Sequence, residues 1–151
     1  KGKTVAAKEK LSQYSLIKWS SKNEDNVIER ARKLIFVNHN VQSGKSATDL
    51  LDEYDKLNKA IKTAEDNLYS LLNRHIHSQN VKLLEKEKND SIAALLAKMP
   101  KVFDPFAGGG AIPLEAARLG CNSYGNDINP VAHLIQKGTC VYTQKFGKCM
   151  C

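Results

Sequence analysis

The chain has 151 residues, 42% of them hydrophobic and 26% charged, with a net charge of +7. That is enough to bury one modest core and excludes disorder as a description of the whole. The strongest apolar runs, Leu34 to Val37 and Ala93 to Ala97, fall far short of the ~20 residues a bilayer requires, so no membrane partner is expected and a cytoplasmic protein is; the lysine excess favours a polyanionic partner such as nucleic acid.

The first ten residues hold four lysines and one glutamate, with little to bury, and are expected to form a loose arm or a frayed helix. Ser21-x-x-Glu24 fits a capping box. After it, Val27, Ile28, Ala31, Leu34 and Ile35 recur at helical spacing, which predicts an amphipathic helix from Asn23 to Val37. Asn38 to Lys45 reads as a loop. Within it, Ser43-Gly44-Lys45-Ser46 imitates the end of a phosphate-binding P-loop. The leading glycine of that motif would stand at position 39, which is His39, so the pattern fails.

Ser46-x-x-Asp49 is a second helix-start signal. Leu50, Tyr54, Leu57, Ile61, Ala64, Leu68 and Leu71 then alternate steps of four and three, a heptad-like seam. It predicts a long helix over 47–75. A polar break, His75 to Asn80, separates it from a second helix over 81–98 that presents Val81, Leu84, Ile92, Leu95 and Leu96. The pair is expected to fold as an antiparallel hairpin spanning 47–98, each helix hiding the other's apolar stripe. Competing readings of the same stretch are a seam for a partner helix and a basic outer face for nucleic acid. His75 and His77 lie two apart, on different faces of a helix, which disfavours a metal site. The four cysteines lack CxxC spacing, and Cys149-Met150-Cys151 alone does not make a ligand pair. Met99-Pro100 closes the helical region, so the expected division is a helical region over 1–99 and an α/β region over 100–151.

From Lys101 the pattern changes. Val102-Phe103 is a short apolar strand that enters Asp104-Pro105-Phe106-Ala107-Gly108-Gly109-Gly110. Glycines at 108 and 110 let the backbone turn tightly and approach a ligand. A helix follows over 111–119, with Pro113 in its first turn and an apolar face of Ile112, Leu114, Ala116, Ala117 and Leu119; Gly120 suits its cap. Cys121 to Gly125 reads as a second strand, and Asp127 stands just beyond it, seventeen residues after Gly110. A third strand is expected around Thr139 to Tyr142. Strand, glycine loop, helix, strand, acid is the arrangement that grips a nucleotide at the edge of a parallel sheet, the acid accepting bonds from ribose hydroxyls. Two features argue against a dinucleotide. Pro113 replaces the third small residue of the GxGxxG fingerprint, and Asp104 would repel a pyrophosphate. An acid there suits a zwitterionic cofactor with an ammonium group.

These residues resemble a known family. Asp104 to Gly110 looks like the first motif of amino-group DNA methyltransferases. The continuations Ile112-Pro113-Leu114-Glu115-Ala116 and Gly125-Asn126-Asp127-Ile128-Asn129-Pro130-Val131-Ala132, with Tyr142 to Gly147, are similar to the adenine-specific DNA methylases of the DUF1156 type. The likeness covers about 101–148, and RNA guanine methylases carry similar runs. It implies S-adenosylmethionine as cofactor and a partial Rossmann-like methyltransferase sheet. Asp104, Pro105 and the backbone of Phe106, Ala107, Gly108, Gly109 and Gly110 would cradle the methionine end. Asp127 would hold the ribose, Ile128 would lie against the adenine, and Asn129 is the last of the implied cofactor-binding residues. The implied partner is nucleic acid, DNA before RNA.

The resemblance also implies a second motif, an Asp/Asn/Ser-Pro-Pro-aromatic run that orients the target amine of a base swung out of its helix. The chain has none: Asn129-Pro130 is followed by Val131 and Ala132, where a helix should begin. Two parallel strands cannot cover both faces or satisfy their edges alone. The sequence is therefore expected to be the N-terminal, cofactor-binding piece of a longer methyltransferase, inactive alone and completed by the rest of the enzyme or a partner subunit. The alternatives are a non-catalytic helical interaction module with a degenerate methyltransferase remnant, and an RNA methyltransferase.

Overall fold

In this computed structural model, residues 24–72 and 79–143 are described. The expectations that fall on residues 1–23, on residues 73–78 and on Gln144 to Cys151 lie outside them; the expected polar break, His75 to Asn80, is shorter at its far end, since Gln79 and Asn80 already belong to a helix. The architecture is mixed α/β, mostly helical, with one two-stranded parallel sheet. Helix α1 spans Asp25–Asn40 and runs into a 3-10 turn, Val41–Ser43, so the expected loop begins three residues late. Gly44, at φ 76°, ends that turn in the left-handed region. Glu24 holds the N-cap position of α1 without a side-chain bond.

Helix α2, Ala47–Leu72, starts as its sequence dictates: the Ser46 hydroxyl oxygen accepts the Asp49 N–H at 3.1 Å, satisfying a donor the helix cannot. Helix α3, Gln79–Leu96, returns against it. Lys88 reaches Glu65 at 3.2 Å, while Lys98, further along the chain, meets Glu53, further back, so the two helices are antiparallel. All seven seam residues of α2 are buried or half-buried, and so are the five apolar residues expected to answer them from α3. Most of the stripe is covered within the hairpin, while Leu50, Tyr54 and Leu57 at its N-terminal end also pack against Phe36 of α1 and Met99.

Strand β1 (Lys101–Asp104), helix α4 (Ala111–Arg118) and strand β2 (Asn122–Gly125) form a crossover unit. The strands pair in parallel, Lys101 opposite Asn122 and Asp104 opposite Gly125. A parallel pair needs such a crossover, and an eight-residue helix supplies it. Helix α5, Pro130–Gln136, begins with Asn129 at its N-cap and proline in its first turn. It continues as a π-helical stretch, Lys137–Tyr142. This corrects the expected third strand around Thr139 to Tyr142. Those residues carry on from α5 in helical form, and two of them, Thr139 and Cys140, turn their side chains toward the glycine loop, contacts that win over the β-branched and aromatic character of the stretch.

The core does not respect the boundary near residue 99. Phe36 of α1, Leu50 and Tyr54 of α2, Met99, Ala116 of α4 and Cys121 form one buried cluster, with Val102 packed against it. Phe36 and Tyr54 meet edge to face, ring centres 5.4 Å apart. Burial pushes both the Tyr54 hydroxyl and the Cys121 thiol upward in pKa, so both stay protonated in the core. Polar ties cross the same boundary. Arg32 of α1 donates from Nε and Nη2 to the carbonyl of Arg118, at 3.1 and 2.7 Å, filling an acceptor at the C-terminus of α4. The Asn40 amide donates to the carbonyls of Phe36 and Lys98.

Candidate functional site

The site begins where β1 ends. Asp104 is half-buried, and its Oδ1 accepts the Phe106 N–H at 3.0 Å, turning the chain sharply around Pro105. The strand pairing then continues past the strands. Asn126 N–H donates to the Asp104 carbonyl and Ala107 N–H donates to the Asn126 carbonyl, both at 2.9 Å. The Gly110 N–H closes a tight turn onto the Ala107 carbonyl at 2.7 Å. Gly108 and Gly110 sit at φ 51° and 87°, where a side chain would be strained. Gly110 is then the N-cap of α4. The glycine loop thus lies at a strand-to-helix junction, at the carboxyl edge of a parallel sheet, where open α/β sheets place their ligands.

Asp127 closes the crevice from the second strand. Its Oδ2 accepts the Gly108 N–H at 2.8 Å and its Oδ1 accepts the Asn129 N–H at 2.9 Å. These bonds, the Asn129 one first, hold its carboxyl below the usual pKa, so it stays ionised well into acid. An ionised carboxylate offers about four acceptor positions. Two are filled by backbone, leaving capacity for two hydroxyls. Asp127 is therefore a scaffold for the loop as well as a candidate ligand. Asn129 also acts on the next helix. Its Oδ1 accepts the Val131 N–H at 3.0 Å and caps α5.

Flanking the crevice are large apolar side chains that nothing covers among the described residues. Phe106 is 82% exposed and Ile128 is 96% exposed. On the sheet face away from the core, Phe103 and Tyr124 are cross-strand neighbours, 64% and 50% exposed. The helix after the loop keeps part of its expected apolar face inward and loses part of it. Ala116 is buried and Ala117 and Leu119 are half-buried, whereas Ile112 and Leu114 face outward and Pro113 is buried in their place. Helical spacing permits either stripe, and contact with β2 selects the one with Pro113: a Cβ on Gly125 would stand 2.9 Å from Pro113 Cγ.

Three residues at the site lie outside the sequence expectation. Gln136, Thr139 and Cys140 project from the end of α5 and its π-helical continuation onto the carbonyls of Gly108, Gly109 and Gly110 in turn. Their spacing, i, i+3, i+4, marks one helix face, and that is the signal that finds them. Among the described residues no three His, Cys, Asp or Glu side chains converge as a metal-holding group. No helix among them is long and apolar enough to cross a membrane. The +7 charge does not come from the hairpin: residues 47–98 carry eight Lys or Arg against nine Asp or Glu, whereas residues 1–46 carry ten against four. The hairpin as a whole is therefore close to neutral. The chain matches no protein-family model, and no curated protein or solved structure shows significant similarity to it.

Proposed function

We propose that the crevice between the glycine loop and Asp127 binds S-adenosylmethionine, and that the chain is the cofactor-binding part of a methyltransferase acting on an exocyclic amine of a nucleic-acid base, DNA before RNA. Residues 101–143 are on this reading the opening of a Rossmann-like methyltransferase sheet. The observation that carries the proposal is the Asp127 carboxylate bonded to Gly108 N–H, with acceptor capacity left over, at the carboxyl edge of two parallel strands. The ribose hydroxyls would donate to that carboxylate. The ammonium group would lie near Asp104, and the adenine against Ile128, whose side chain is almost fully exposed.

The chemistry asked of such a site is modest. Methyl transfer from a sulfonium is a direct displacement, in which the amine nitrogen bonds the methyl carbon as the carbon–sulfur bond breaks and its electron pair returns to sulfur. Alignment provides most of the acceleration. The chain's own residues would hold the cofactor and present its methyl group. The base-orienting run is not in this sequence, so methyl transfer by these 151 residues alone is not part of the proposal.

The test is a calorimetric titration of S-adenosylmethionine into the full chain and into Asp127→Ala, with thermal unfolding of both. Because Asp127 also ties Gly108 and Asn129, a partial loss of stability is expected together with loss of binding. Binding that persists unchanged in the variant overturns the proposal.

A further inference from the structure

Gln136 is the one buried polar side chain among the described residues, 8% exposed. Burying an amide is unfavourable unless it is bonded. Its Nε2 donates to the Gly108 carbonyl at 2.9 Å. One turn further, Thr139 Oγ1 lies 3.2 Å from the Gly109 carbonyl and 3.0 Å from the Ile135 carbonyl, so its single proton is shared. The Cys140 thiol, a weak donor, lies 3.5 Å from the Gly110 carbonyl. Three successive loop carbonyls are thus met from one side by one helix face. The space behind the loop is full: a Cβ on Gly110 would stand 2.9 Å from Cys140 Sγ and 3.2 Å from Gln136 Cγ.

Peptide planarity gives this a consequence. No peptide here is cis, so each N–H points opposite to the carbonyl in its own plane. Holding the Gly108 and Gly110 carbonyls toward α5 turns the N–H groups of Gly109 and Ala111 away from it. The Gly110 N–H is already spent on Ala107. We infer that Gln136 is a positioning residue of the glycine loop, aided by Thr139 and Cys140: by tethering the loop carbonyls from behind, it aims the Gly109 and Ala111 N–H groups at the ligand. The identity of the ligand rests on the S-adenosylmethionine reading; the tether does not.

The test therefore has two separate readouts on the full 151-residue chain. The first is the carbonyl carbon resonance of Gly108 without ligand. In Gln136→Leu it should shift as the bond is lost, while the carbonyls of β1 stay put. In Gln136→Glu it should titrate. A buried glutamic acid that donates in its neutral form has a raised pKa, so the tether is present at low pH and lost as pH rises through that value. This isosteric variant also covers the case in which Gln136→Leu does not fold. The second readout is S-adenosylmethionine affinity, expected to fall roughly tenfold in Gln136→Leu and, in Gln136→Glu, to be near normal at low pH only. A Gly108 resonance indifferent to both variants overturns the tether, and equal affinity of wild type and Gln136→Leu overturns its role in binding. Failure of the wild-type chain to bind the cofactor overturns the functional reading instead, and the resonance still decides the tether.

Discussion

The hairpin of α2 and α3 and the α/β unit from Lys101 to Tyr142 use apolar residues in opposite ways. The hairpin covers most of its own: the seven seam residues from Leu50 to Leu71 are buried or half-buried between α3 and the cluster around Phe36. Among its described large apolar residues only Tyr69 and Leu83 are more than half exposed, and the Lys88–Glu65 ion pair links its two helices. The α/β unit leaves Phe103, Phe106, Tyr124, Ile128 and Val131 at least half exposed, while burying small residues such as Ala107, Ala116 and Ala132. Exposed apolar surface on that scale marks a surface built to be covered. On the proposed function, the contrast separates a support from a working edge. They are nevertheless joined by one cluster, Phe36, Leu50, Tyr54, Met99, Ala116 and Cys121, so the two regions are expected to unfold together.

The largest effect should come from breaking that joint. Phe36 is fully buried, and Phe36→Ala should cost about 3–5 kcal/mol through lost burial and the cavity left behind. Denaturant unfolding with amide exchange is the measurement, and both regions should lose protection together. Protection lost from α1 and α2 but kept in β1 and β2 would show two independent units. Gly110→Ala acts on the working edge alone. A left-handed alanine beside the Cys140 sulfur should cost about 1–3 kcal/mol, with faster exchange confined to Gly108 to Leu114.

A third experiment acts on the support through pH. Lys45 and then Lys98 bond the Glu53 carboxylate and lower its pKa from 4.5 to about 2. A depressed carboxylate contributes stability above its unfolded pKa and loses it as pH falls through the folded one. Stability of the wild type should therefore decline between about pH 5 and 2 more steeply than that of Glu53→Gln. The difference should shrink in high salt, since the pair is near solvent. Parallel curves for the two proteins would remove Glu53 from the account. The smallest change in stability should come from Ile128→Ala. Ile128 is 96% exposed, so unfolding should move by less than ~0.5 kcal/mol. On the proposed function, S-adenosylmethionine affinity should still drop on the order of tenfold as an apolar contact is removed. A variant that binds as well as the wild type would detach Ile128 from the site.

Much of this molecule is written in local pattern. The steps of four and three from Leu50 to Leu71 specify α2 and the face it hides. Ser46 fixes where α2 starts, because its hydroxyl can reach only the first-turn amides. The glycine loop, its position between strand and helix and the capping of α5 by Asn129 likewise follow from short-range stereochemistry: left-handed φ values need glycine, and proline fits a first helical turn. Tertiary structure decided what local rules leave degenerate. Thr139 to Tyr142 suits a strand by propensity but extends a helix, in which the Thr139 and Cys140 side chains meet the loop carbonyls. The stripe of α4 that is buried was chosen by contact with β2. Two further facts required the chain to be folded, since they join residues far apart in sequence: the core running through both regions, and Gln136 reaching across 28 positions to the Gly108 carbonyl. Periodicity reports which face of an element is apolar, but only packing selects the neighbour that meets it.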